Sequence, residues 1–171
     1  MAAYGGRGET ARQAAIFAEE EATFDATSGF VGATIAMAVP TLLAHGTEEQ
    51  RRRFLPRLLR ADDAWCQLFS EPAAGSDLAA LRTRAVRADD GTWRITGQKV
   101  WTTLAHESDY GIVLTRTDPE VPKHRGLTMF VVDLKAPGVT VRPLRQMTGA
   151  AEFNEVFFDD VEVPDAERLG A

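Results

Sequence analysis

The sequence predicts an α+β protein: a helical N-terminal segment followed by an antiparallel, β-barrel-like middle domain. Three observations predict it. Apolar residues recur at helical spacing as far as about Ala61. Beyond Asp62-Asp63 the pattern changes to short β-like runs with turn residues between them. The chain has 171 residues, 44% hydrophobic and 26% charged, which suits one globular core plus an appendage. We therefore divide it into residues 1–61 and 62–171.

The first helix is expected over 9–24. Ala14, Phe17, Ala18 and Glu21 fall at helical spacings, and Glu19-Glu20-Glu21 turns mostly outward. Ser28-Gly29 breaks this helix and opens a second that runs to about Ala44. Pro40 has no amide to donate, so a kink or an early end is expected there. His45-Gly46 stops the second helix. Thr47-Glu48-Glu49-Gln50 matches a capping box that starts a third. Glu48 and Glu49 suit the positive end of its dipole, and Arg57 and Arg60 the negative end. Phe54, Leu55, Leu58 and Leu59 form its buried stripe. Strands are expected near 65–69, 80–88, 92–96, 98–103, 110–116, 126–134, 139–143 and 153–161. Asp90-Gly91 is a tight-turn dipeptide, so 80–88 and 92–96 form a hairpin. Pro137-Gly138 marks a further turn.

Several function classes lack their residues. Net charge is −6, and the one basic cluster, Arg51-Arg52-Arg53, reads as a solvated helix face, not a nucleic-acid surface. No apolar run reaches the roughly 18 residues of a membrane span. The stretch from Phe30 to Ala44 is too short and is interrupted by Gly32 and Pro40. The N-terminus has no basic region ahead of an apolar core, so no signal peptide is expected. Cys66 is the only cysteine, which rules out an intramolecular disulfide and fits a cytoplasmic setting. There is no G-x-G-x-x-G after a strand, no P-loop and no G-x-S-x-G elbow. His45, His106 and His124 have no metal-ligand spacing with one another or with Cys66.

Two segments carry chemistry. In Gln67-Leu68-Phe69-Ser70-Glu71-Pro72-Ala73-Ala74-Gly75-Ser76-Asp77 a strand runs into a tight turn of small and hydroxyl residues. Such a backbone makes room for a flat, phosphate-bearing cofactor, and its amides can form an anion nest. Gly97-Gln98-Lys99-Val100-Trp101-Thr102-Thr103 pairs an indole with two hydroxyls. Together they suggest a flavin site. The plainer alternatives are a strand-end serine capping a turn and a core tryptophan.

Both segments resemble the flavin-binding segments of the acyl-CoA dehydrogenases. Ser70 to Asp77 is similar to the family's T/S-E-P-G-A-G-S-D core. Ala3-Tyr4-Gly5-Gly6, His45-Gly46-Thr47-Glu48-Glu49-Gln50 and Phe153 to Val161 resemble three further family segments, in the right order. The resemblance implies FAD as cofactor and an acyl-CoA thioester as substrate. It implies that Ser70, with the backbone of Gln67 and Phe69, meets the flavin pyrimidine edge. Gly75 and Ser76 would lie near the pyrophosphate, with Ser76 also near the CoA phosphates. Trp101 would pack beside the ring, Thr103 would lie near N5, and Thr102 would contribute backbone. Trp93 is read as packing only. Ala73 and Leu104 depart from the family pattern, and Leu104 would narrow the mouth of the acyl pocket. Alanine at 73 is costly if that position needs a positive φ.

The family's base is a glutamate of a C-terminal helical domain that the resemblance does not find here, so no catalytic residue is assigned and His106 is not given that role. The expectation is a fragment with weak or no activity alone. The intact enzyme would be an oxidoreductase of fatty-acid and lipid metabolism, passing electrons to an electron-transfer flavoprotein as a homo-oligomer or with a partner subunit. The alternatives are a flavin monooxygenase or oxidase on the same scaffold, or a non-catalytic truncated or half-site subunit.

Overall fold

The computed structural model describes residues 2–24 and 29–170. Among these residues three α-helices come first: α1 (Ala11–Glu21), α2 (Gly29–His45) and α3 (Glu48–Leu59). Eight strands follow: β1 (Trp65–Leu68), β2 (Arg84–Arg87), β3 (Trp93–Thr103), β4 (Tyr110–Arg116), β5 (Leu127–Asp133), β6 (Val139–Leu144), β7 (Phe153–Val163) and β8 (Arg168–Leu169). The chain is α+β, as expected.

α1 begins at a capping box the sequence reading had not used. Thr10 caps the Gln13 amide, and the Gln13 side chain answers at the Thr10 amide, 2.9 Å away. The helix ends three residues earlier than expected and buries none of its residues. Phe17 is exposed. The expected break at Ser28 lies outside the described residues.

α2 continues through Pro40 to His45, so the expected early end does not occur. Pro40 lies on the solvent side, while Ala38, Val39 and Leu42 are buried. Packing of that face outweighs the hydrogen bond lost at the proline. The Gly46 amide donates to Leu42 O at 2.9 Å and closes the last turn.

At α3 the expected capping box is present, with Thr47 N–H donating to Gln50 Oε1 at 2.8 Å. Phe54, Leu55 and Leu58 are buried as expected. Ala61, with φ of 59°, turns the chain out of the helix toward the sheet.

The strands run β6-β7-β3-β2-β4-β5-β8, with β1 beside β4. The sheet is mixed and open, not an antiparallel barrel. β1 pairs parallel with β4, Trp65 opposite Tyr110 and Leu68 opposite Val113. The β2–β3 hairpin lies between them in sequence and supplies the long crossover that parallel pairing requires. The separate runs expected at 92–96 and 98–103 are one strand, β3, with register shifts at Ile95/Gly97 and Lys99/Thr102. Gly97 is needed at the first shift, because a Cβ there would lie 2.6 Å from Thr83 Cα. β8 spans two residues, too few for a periodic signal.

The sheet is buried on both faces. Ala38, Leu42, Phe54, Leu55 and Leu58 from the helices meet Trp65, Ile112 and Val131 on one side. Phe54 stands edge-on to Trp65, ring centres 5.0 Å apart. Leu68, Ile95, Val113, Phe130, Val156 and Val161 fill the other side. α2, the end of β1 and the bulged part of β3 frame a cleft at the seam of helices and sheet.

Candidate functional site

The cleft holds about 340 Å³ and is lined by Met37, Trp65, Cys66, Gln67, Phe69, Ser70, Val100, Trp101, Thr103 and Leu104. Five of the eight residues singled out from sequence meet here: Gln67, Phe69, Ser70, Trp101 and Thr103. Gly75 and Ser76 lie exposed on the adjoining loop, outside the cleft wall. Thr102 is buried, and its hydroxyl has no partner among the described residues. Met37 was not foreseen. It comes from a helix with no chemical signature, and only packing brings it here.

β1 delivers Ser70 to the cleft. Past Leu68 the chain turns tightly. Glu71 N–H donates to Ala74 O at 2.9 Å, and Ala74 N–H to Glu71 O at 3.1 Å. Pro72 and Ala73 are therefore the central turn residues. Ala73 is not among the positive-φ residues, so alanine is unstrained there and the expected penalty does not arise. The Val100 amide donates to Ser70 O at 2.9 Å and ties the turn to β3. Ser70 keeps its own N–H and hydroxyl free of protein partners among the described residues, two donors at a half-buried position. At Gly75 an added Cβ would meet nothing within 4 Å, so another molecule can approach the backbone closely. Asp77 makes no capping bond to the short turn of helix after it and instead pairs with Lys123 at 2.7 Å.

β3 delivers the indole. At its second register shift Trp101 adopts φ of 61°, a left-handed conformation that bulky residues rarely take. The bulge aims the side chain outward, and it is 62% exposed, with Phe153 edge-on 6.2 Å away. A core tryptophan would be buried, so the plainer alternative fails here. Trp93 does pack inside, 5.2 Å from Phe130. Leu104 is also left-handed, φ 51°, at the cleft edge. A left-handed backbone favours Gly or Asn, so leucine is held there at a cost.

Beneath the turn lies an ion pair. Lys99 Nζ is fully buried and donates to Phe69 O at 3.0 Å and Glu71 Oε1 at 2.9 Å. Glu71 also accepts the Arg82 and Thr83 amides at 2.7 and 2.9 Å. Burial pushes the Glu71 carboxyl up, but the bonds from Thr83, Arg82 and Lys99 outweigh it and hold it below the usual carboxylate range. Burial also lowers Lys99, opposed by Glu71.

Among the described residues, none that lines the wall is a carboxylate or a histidine. Burial pushes the Cys66 thiol up to about 12, so it is no base or nucleophile near neutrality. His106 stands outside the wall. Asn154 donates from Nδ2 to Thr102 O, so its Oδ1 accepts, and His106 Nδ1, 2.9 Å away, carries the hydrogen. His106 props that strand end. The cleft can therefore hold and polarise a flat group, but its described wall offers no carboxylate or imidazole as proton acceptor.

Residues 66–161 match the family model described as acyl-CoA dehydrogenase, middle domain, and residues 1–62 match the N-terminal domain of the same family. Acyl-CoA dehydrogenase FadE34 of Mycobacterium tuberculosis is 60% identical over 134 residues, 78% of this chain and 19% of that protein. Acyl-CoA dehydrogenase IpdE1 of the same organism is 49% identical over 98% of this chain and 43% of its own length. The chain thus spans less than half the length of these curated relatives. The crystal structure of the ChsE4-ChsE5 complex from Mycobacterium tuberculosis superposes with a TM-score of 0.85 at 40% identity, covering all of this chain and 43% of that one.

Proposed function

The chain belongs to the acyl-CoA dehydrogenase family, and on that premise we propose that it supplies the flavin cleft of an FAD-dependent acyl-CoA dehydrogenase. Residues 62–171 would form the flavin-binding domain, and residues 1–61 part of the helical domain beside it. The observation that carries the reading is Ser70, whose N–H and hydroxyl lack protein partners among the described residues at the cleft wall. Bound there, FAD would supply the hydride acceptor for α,β-dehydrogenation of an acyl-CoA thioester.

The two Ser70 donors would serve the pyrimidine edge, with the backbone of Gln67 and Phe69 alongside, and favour negative charge on it. Trp101 would cover the ring and Thr103 would add a hydroxyl. Thr102 would contribute backbone, while Met37 and Val100 exclude water. Gly75 and Ser76 would carry the phosphates across the exposed loop, with Ser76 also facing the CoA phosphates. The cleft has room for a ring, not a whole dinucleotide, which agrees with this division.

The α-proton must go to a carboxylate from outside the described cleft. Assembly as a homo-oligomer or with a partner subunit is proposed separately, on the likeness to the ChsE4-ChsE5 complex. Electrons would pass to an electron-transfer flavoprotein in the cytoplasm. The test is to purify the protein with any subunit that accompanies it and record its visible absorbance. Bound FAD that bleaches when an acyl-CoA thioester is added is expected. A protein that carries no flavin and takes up none from solution refutes the reading.

A further inference from the structure

We propose that Lys99 and Glu71 are positioning residues, a buried clamp that fixes the 69–70 peptide so that Ser70 presents its N–H to the cleft. This rests on the flavin reading of the cleft for what is bound, but not for the clamp itself.

The argument starts from the peptide. In a planar trans unit the C=O and N–H point in opposite directions. The C=O of Phe69 and the N–H of Ser70 belong to one such unit. Lys99 Nζ holds that oxygen from below at 3.0 Å. The Ser70 N–H is thereby turned away from Lys99, on the side where Ser70 lines the cleft. Lys99 is held in turn. Its ammonium bonds Glu71, whose carboxylate is pinned by the Arg82 and Thr83 amides where the chain enters β2. The clamp thus joins β3, the Ser70 turn and the start of β2 behind one ligand-facing peptide.

Stability alone is a poor reason for such a pair. Removing two charges from water roughly cancels their attraction, and apolar replacements are often as stable. Geometry is what an apolar pair cannot supply: it has no donor for the Phe69 oxygen. A flipped 69–70 peptide would leave that oxygen facing the acceptor edge of the ring.

Two arms test the clamp. In the first, without ligand, Lys99→Met is compared with the parent protein by amide exchange. The Val100 amide, held by Ser70 O, should exchange at least tenfold faster, while the amides of β4 and β5 do not change. Unaltered Val100 protection overturns the clamp, whatever the cleft binds. In the second, the double variant Glu71→Gln with Lys99→Met removes both charges together and so avoids stranding one. It should fold with nearly the parent's denaturation midpoint, yet bind FAD at least tenfold more weakly and shift its visible spectrum. Parent-like affinity and spectrum overturn the proposal. If the parent itself binds no FAD, the flavin reading fails, and the exchange arm still decides on the clamp.

Discussion

At the scale of single residues the site is a matter of backbone conformation as much as of side-chain chemistry. Trp101 and Leu104 both take left-handed φ within four positions, and a strained pair so close together marks a segment shaped for something other than stability. Ala73 teaches the reverse. Its identity looked costly in sequence, but the turn it occupies asks nothing special of it. Gly75 separates folding from binding most cleanly. Since a Cβ there meets open space at an ordinary φ, Gly75→Ala should leave stability unchanged or raise it by up to about 1 kcal/mol. It should weaken FAD binding roughly tenfold, about 1.4 kcal/mol, if the cofactor backbone lies against it. A denaturation curve beside an FAD titration checks both. Equal affinity in the two proteins would remove Gly75 from the site.

At the scale of elements, the join between helices and sheet decides whether the cleft exists. Arg57 on α3 grips Asp63 with two bonds of 2.6 Å across the Ala61 turn. Gln50 does more than complete its capping box. It is buried and donates to Ala166 O at 2.7 Å and Arg168 O at 2.9 Å, fastening the start of α3 beside β8. Thr47→Ala should cost about 1 kcal/mol, the usual price of an N-cap. Gln50→Ala should cost more, because besides the cap it strands the carbonyls of Ala166, in the turn before β8, and of Arg168, in β8, and a buried carbonyl left unpaired costs about 1–3 kcal/mol. Thermal melts of the two variants order them. A Gln50 variant as stable as the Thr47 variant would mean that water takes over its bonds.

For the whole molecule, the shifted carboxylates set the response to acid. Glu71 lies low for the reasons given above. Asp109 is lowered chiefly by its bond from Lys135, and Asp165 by the Trp93 indole. A carboxyl depressed in the fold contributes stability above its unfolded pKa, about 4, and loses that contribution as pH falls through the depressed value. Stability should therefore hold near neutrality and fall below about pH 4, as denaturation midpoints against pH will show; a midpoint unmoved down to strong acid would contradict it. The sequence by itself determined the α+β order, the α3 cap and stripe, the two segments that meet at the cleft, and the family. These are local signals, periods and motifs read within a few residues of one another. Only the tertiary structure decided the parallel pairing of β1 with β4, the merging of two expected runs into the bulged β3, the passage of α2 through Pro40, and the Lys99–Glu71 clamp. In each of these, partners distant in sequence outweigh the local preference, through packing at Pro40, pairing along β7 for β3, and hydrogen bonding and charge attraction that offset desolvation for the clamp. No window along the chain contains that energy.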